Sequence, residues 1–229
     1  MAENKPLVFI KKDAGVIHYK VKINSKSPNP NIMMQGIEIN LEKTFSINIK
    51  VPILNEESIF VLIRALGIEN DKEIIKYIVY DENDIDMINL LKISIDLSKK
   101  DNKKLILSKE DAIYNLTNKL RVVKKYSDKD KKLQYDEKKE HLEALLRNAF
   151  MPHINSDNYD NVFKVKAYYL CYMVNKLLNC YLGRSEPDDR DSFVNKRIDM
   201  PGDLIFDLFK QHYKKMLNDC NKFFKKRSG

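Results

Sequence analysis

The densest run of chemically competent side chains is Asp188-Asp189-Arg190-Asp191, followed closely by Asn195, Lys196, Arg197 and Asp199. Clustered carboxylates are hard oxygen donors of the kind that hold a divalent cation. The same carboxylates could instead pair with Arg190, Lys196 and Arg197 through charge-assisted hydrogen bonds and fix a loop. A magnesium-dependent nuclease built on Asp188, Asp189 and Asp191 would also need a positioned base and supporting groups, and none stands out around them. A second acidic run, Asp81–Asp86, lacks the central Gly and closing Glu of a calcium loop and reads as a solvated turn.

Other reactive side chains are scattered. His18, His141, His153 and His212 are scattered, and none has a His, Cys or carboxylate at metal-helix spacing in a recognisable pattern. His153 follows Pro152 and is expected to be a hydrogen-bonded structural group. Cys171 and Cys180 are nine residues apart, half a turn out of phase on a helix, and read as buried, reduced thiols. The six glycines show no phosphate-loop or dinucleotide spacing, and no G-x-S-x-G or H-E-x-x-H motif occurs. The sequon Asn115-Leu116-Thr117 falls inside an expected helix and reads as chance. The residues by themselves offer no catalytic group and no metal site.

The 229 residues carry 41 Lys+Arg against 33 Asp+Glu, a net charge of +8. With 43% hydrophobic and 32% charged residues, the chain is too apolar for a disordered tail and too charged for a membrane protein. Its longest unbroken apolar stretch, Ala167–Val174, falls short of the ~18 residues a membrane span needs. Met1–Lys5 do not open a secretory signal, so a soluble, intracellular protein is expected. Only seven of the basic residues are arginine, and the preference for Lys, Asn and Ile is that of an AT-rich genome. A basic balance permits sequence-independent attraction to phosphates.

These side chains need elements to position them. In residues 1–54, apolar and polar residues alternate through Ile17, Tyr19, Val21 and Ile23, then Ile37, Ile39 and Leu41, then Phe45, Ile47, Ile49 and Val51. Period two with one wet face predicts an antiparallel β-meander, with Ser25–Asn31 as a connecting loop. From Glu56 the period turns helical: Glu56–Leu66, a helix capped by Asp71, Asp84–Leu97 with Ile85, Ile88, Leu91 and Ile95 on one side, and a helix opened by Ser108 with Asp111. Lys119–Arg147 mixes ten basic with six acidic residues, the composition of a solvated helix face or loop, with nucleic-acid contact the other reading. Val162–Leu182 is apolar nearly all round and predicts a buried central helix whose aromatic residues belong to the core. A last helix begins near Pro201, with Leu204, Ile205, Leu208, Phe209, Met216, Leu217, Cys220, Phe223 and Phe224 on an apolar stripe. The fold class is α+β, a β-meander followed by a predominantly helical bundle.

At Asp188–Gly202 the sequence DDRDSFVNKRIDMPG resembles the D-D-R-D-x-F-x-N-K-R-x-D-x-x-G signature of the second-largest subunit of multisubunit DNA-directed RNA polymerases. Further blocks follow in the family's order. Phe60–Ile68, FVLIRALGI, is similar to its V-I-x-F-R-A-L-G-I run, and Tyr80-Asp81, Asn83-Asp84, Met87 and Leu90-Leu91 come next. Phe150–Ile154, FMPHI, resembles its F-L-P-H-I turn, and Lys166–Leu178 its K-A-x-x-L-x-Y-M-x-N-x-L-L helix.

The resemblance implies a lobe (residues 1–199: meander 1–54, mainly helical part 55–199) and a return segment, 200–229, toward the neighbouring protrusion. It implies a chain that is not catalytic alone, within an enzyme making RNA on a DNA template. In that enzyme magnesium is held by the largest subunit and zinc elsewhere in the second, so no cofactor is expected in these residues. Partners would be DNA, the largest subunit and the protrusion and fork of the parent chain, with no membrane. Composition suggests a large DNA virus, hence virion and host cytoplasm (the viral factory), and otherwise an intracellular setting with the transcription machinery. Carried over by motif position, Asp191, Lys196 and Arg197 would lie near DNA at the downstream fork, with Arg190 and Asn195 supporting the turn and Asp188, Asp189 and Asp199 structural. Asp189 and Asp191 could equally brace Arg190 and Arg197 against the central helix. Ser192 and Val194 stand where the family usually has His and Gly; they shorten the reach and stiffen the backbone, so phosphate contact asks less than base contact. A stand-alone nucleic-acid-binding or adaptor protein on the same fold is the other reading. The apolar stripe of residues 203–224 predicts self-association if the helix is left uncovered.

Overall fold

Alternating residues of the N-terminal segment fold into a sheet with one dry face. In the computed structural model, which describes residues 3–13, 16–29, 32, 34–52, 54–101, 104–120, 131–154, 159–196 and 198–227, five antiparallel strands run in sequence order. They are β1 (Leu7–Asp13), β2 (Val16–Ser25), β3 (Gln35–Leu41), β4 (Ile47–Lys50) and β5 (Glu57–Ser58). The register sets Val8 against Val21, Val21 against Ile39 and Ile39 against Ile49, so one face collects β-branched side chains, all of them buried. The opposite face is mostly polar, although Leu7 is buried on it beside Lys22; there Lys20 reaches Glu38 at 3.2 Å.

The helices are α1 (Ile59–Ala65), α2 (Asp71–Val79), α3 (Ile85–Ser98), α4 (Lys109–Asn118), α5 (Lys131–Asn148), α6 (Tyr159–Tyr181) and α7 (Pro201–Arg227). A short hairpin, β6 (Lys100–Asp101) with β7 (Lys104–Leu105), links α3 to α4. Residues 2–190 form one compact unit and 191–229 another. Within the first, α6 lies against β1, β2 and β3 on one side and α2 on the other, and α1 is buried throughout.

Several local readings shift. The run at Glu56 does not start as helix: Glu57 and Ser58 pair with β4, and α1 begins at Ile59. The cap of α2 is Asn70, whose side chain accepts from the Lys72 N–H, which frees Asp71 for another partner. Ile85 faces solvent at 67% exposure, and Met87, Leu91, Ser94, Ile95 and Ser98 form the buried side of α3. Phe45 is a turn residue at φ 63° and not part of a strand. The capping box holds: Ser108 Oγ accepts from the Asp111 N–H, and the Asp111 carboxylate accepts from the Ser108 N–H. The aromatic residues of α6 are not all core, because Val165, Tyr168 and Tyr172 make an exposed stripe at i, i+3 and i+7. Within the charged stretch, residues 121–130 lie outside the described residues.

Candidate nucleic-acid interface

The DDRD…NKR segment is carried by the exit from α6. That helix ends at Gly183, whose φ of 73° places it in the left-handed region. The Gly183 N–H donates to the Cys180 carbonyl at 3.1 Å and the Arg184 N–H to the Asn179 carbonyl at 2.9 Å, so the chain reverses in two residues. Arg184 then grips Asp84 with both terminal nitrogens, one at 2.9 Å. Asp84 is also the cap of α3, accepting from the Met87 N–H at 3.2 Å. The Arg184 guanidinium, aided by the Met87 amide, holds the Asp84 carboxyl below its ordinary pKa. One charge pair thus ties the start of the loop to the start of α3.

Asp188 comes next and faces inward. Its Oδ2 accepts from the Val8 N–H at 2.8 Å and from Lys176 Nζ at 3.1 Å, and its own N–H donates to the Val8 carbonyl at 2.8 Å. Lys176 Nζ also donates to the Pro6 carbonyl at 2.8 Å. The carboxylate therefore joins strand β1 to helix α6 through fixed donors. Asp189 and Arg190, its neighbours, are exposed.

In the second unit, Phe193–Asn195 form a single 3-10 turn, closed by the Lys196 N–H donating to the Phe193 carbonyl at 3.2 Å. Asn195 is buried. Asp191 and Lys196 come together across this turn, Nζ to Oδ1 at 3.4 Å, both well exposed. Lys196 Nζ also lies 5.9 Å from the centre of the Phe193 ring, and that ring is 89% exposed. An exposed cation beside an open aromatic face can serve a phosphate and a nucleobase together. Asp199 is exposed, and Arg197 lies outside the described residues. Among the described residues no three His, Cys, Asp or Glu side chains are placed to hold a metal ion, so the nuclease reading gains no ligand set from them. Among them, too, no helix is long and apolar enough to cross a membrane.

Sequence reasoning passed over two buried cations. Arg64, fully buried in α1, donates from NH2 to Asp71 Oδ1 at 2.7 Å and from NH1 to Ser98 Oγ at 3.3 Å. Lys99 Nζ meets the other Asp71 oxygen at 2.9 Å. Burial pushes the Asp71 pKa up, but hydrogen bonds from Lys99 and Arg64 outweigh it and hold the group below its ordinary value. Lys166, also fully buried, donates to the carbonyls of Leu146 (2.9 Å), Arg147 (2.6 Å) and Phe150 (2.6 Å) and so closes the end of α5. Burial, with repulsion from Arg147, pulls its pKa down to about 8. The available signal was a cation inside an apolar run: Arg64 in FVLIRALGI, and Lys166, with Lys164 two residues before it, in VFKVKAYYL. His153 is likewise built in: its Nδ1 lies 2.6 Å from Ser25 Oγ and its N–H donates to the same oxygen.

The chain was compared with known families and proteins. The family model described as RNA polymerase Rpb2, domain 2, matches residues 2–199. Subunit 2 of the DNA-directed RNA polymerase of Acanthamoeba polyphaga mimivirus is 37% identical over 238 aligned residues, covering 100% of this chain and 20% of that protein. The RNA polymerase II subunit RPB2 of Eremothecium gossypii is 31% identical across 98% of this chain and 18% of its own length. Subunit Rpo2 of the Saccharolobus solfataricus polymerase is 29% identical over 96% of the chain and 18% of its own. The chain thus spans about a fifth of the length of the curated relatives it matches. With its signature loop, its blocks in order and a family model matching residues 2–199, the chain belongs to the Rpb2 domain 2 family of RNA polymerase second-largest subunits.

Proposed function

We propose that the chain is the lobe of the second-largest subunit of a viral DNA-directed RNA polymerase, lining the downstream-DNA and fork side of the cleft. It would contribute to RNA synthesis as a wall beside the DNA and would not catalyse nucleotide addition alone. Magnesium in the largest subunit and zinc elsewhere in the second would supply the metal chemistry. Its partners in that role are DNA, the largest subunit and the protrusion and fork of its own polypeptide, in a virion or a viral factory.

One observation supports the DNA-facing role above the rest. The signature splits into an inward carboxylate, Asp188, tied to β1 and α6, and an outward turn where Lys196 stands exposed beside an open Phe193 ring. Lys196 suits phosphate contact, with Arg190 and Arg197 as further cations of the loop, and Asp191 sets the Lys196 side chain.

Titration of a fluorescent forked duplex with the 229-residue chain tests this. Dissociation constants of about 10⁻⁴–10⁻⁶ M are expected, weakening steeply as salt rises. Lys196→Ala should weaken binding evenly across sequences and flatten the salt dependence by about one phosphate contact. Salt-insensitive binding to a single sequence, or none in the millimolar range, would overturn the role. In a reconstituted polymerase, Lys196→Ala with Arg197→Ala should impair promoter opening or processivity.

A further inference from the structure

The turn that follows α5 is held in a strained shape from two sides. Met151 takes a φ of 47°, a left-handed conformation that the Cβ of a methionine disfavours, and its carbonyl accepts from the Ile154 N–H at 3.0 Å. On the α6 side, Lys166 donates to the Phe150 carbonyl at 2.6 Å. On the other side the turn is joined to Ser25, the fully buried last residue of β2, through His153. The Nδ1 atom of His153 lies 2.6 Å from Ser25 Oγ, and the His153 N–H donates to the same oxygen at 3.3 Å. The imidazole stands edge-on to the Tyr169 ring, 5.1 Å between centres.

Among the described residues, the buried Ser25 hydroxyl hydrogen has Nδ1 as its acceptor, so the proton of the neutral ring sits on Nε2. That atom is buried and has no hydrogen-bond partner among them. A second proton must therefore go on Nδ1. It strands the Ser25 hydrogen, gains no acceptor at Nε2 and sets a new cation near Lys166. The Tyr169 hydroxyl donates to the Asn4 carbonyl at 3.2 Å, and burial pushes its pKa to about 12, so it stays neutral. Burial first, and Lys166 second, hold the His153 pKa below its ordinary value, with no carboxylate among the described residues to oppose them. We propose that the Ser25–His153 contact is an acid-operated latch. Closed while the ring is neutral, it fastens the strained 150–154 turn to the end of β2; it opens when the ring takes a proton.

The latch lies within residues 2–190 and is independent of the polymerase reading. Long-range proton–nitrogen NMR of the 229-residue chain, at about pH 7, should find Nδ1 bare and the proton on Nε2. On acidification His153 should titrate below the ~6.5 of a free histidine. The amide signals of Met151, His153 and Ile154 should move with it while those of β3 hold still. Ser25→Ala removes the hydroxyl that favours the neutral ring and should raise the His153 pKa by about one unit, a tenfold gain in proton affinity. As pH falls the unfolded chain takes up this proton first, so the latch contributes fully above about pH 6.5 and fades through the folded pKa. The urea midpoint of the wild type should therefore drop between about pH 7 and about pH 5 relative to that of His153→Phe, which keeps a ring against Tyr169 and cannot titrate. Five results would each overturn the proposal: a proton on Nδ1 at neutral pH, a His153 pKa at or above that of a free histidine, an unchanged pKa in Ser25→Ala, turn amides that ignore the titration, or a midpoint difference flat in pH. The NMR arms and Ser25→Ala decide the question even if His153→Phe fails to fold.

Discussion

In residues 2–190 three cations are drawn inward: Arg64 and Lys166 are fully buried, Lys176 is half-buried, and each meets oxygen acceptors held by other elements. In residues 191–229 the arrangement is reversed. Phe193, Ile198 and most of the apolar side chains of α7 stand in solvent, while Lys196 pairs with Asp191 at the surface. A buried charge that is fully hydrogen-bonded ties a fold together, because removing one partner leaves the other stranded in a poor solvent. Exposed apolar and ionic groups contribute little to folding and remain available for contact.

The comparison can be broken most directly at Lys166. Lys166→Met should cost about 3–5 kcal/mol in urea unfolding, because three carbonyls at the end of α5 lose their donor at once. A loss below about 1 kcal/mol would mean that this inward cation is no anchor. Next in size, Asp188→Ala should cost about 1–3 kcal/mol, since it strands the Val8 N–H and the Lys176 ammonium. Asp188→Asn keeps an acceptor oxygen and should cost less; equal losses would assign the effect to charge alone.

A pH series sharpens the same contrast. The Lys166 pKa, about 8 when folded, lies below the ~10.4 of an unfolded lysine. Between those values the unfolded chain holds more protons, so stability should rise with pH across that window and be flat for this group below it. The rise should vanish from the difference between wild type and Lys166→Met. The smallest effect belongs to the second unit: Lys196→Ala should change stability by no more than about 0.5 kcal/mol while weakening DNA binding. A larger stability loss would make the Phe193–Asn195 turn structural.

The sheet was legible because its alternation has only one physical reading; Val21, Ile23, Ile37 and Ile39 could share a dry face only as strands. The Ser108–Asp111 box was legible for a similar reason, since its chemistry is local. Failures came where tertiary contacts decide. Glu57 pairs with β4 although the pattern around it is helical, and Asp71 yields the cap to Asn70 because Arg64 and Lys99 claim its carboxylate. Ile85 continues the apolar period of α3, yet at the helix start it stands 67% exposed. In the interface, residue types and the turn could be read in advance. The partition between an inward Asp188 and an outward Lys196 could not, because it depends on β1 lying beside the exit of α6.

Strand β1 is the outermost strand of its sheet. An outer strand with free amides and carbonyls invites another chain to add to it and is a common start of aggregation. At Val8 both groups are already taken, the N–H by the Asp188 carboxylate and the carbonyl by the Asp188 N–H. An incoming strand would have to displace an acid that Lys176 holds in place. The residue that opens the polymerase signature therefore also guards the solubility of the sheet, and turbidity on storage should betray Asp188→Ala before any loss of DNA affinity does.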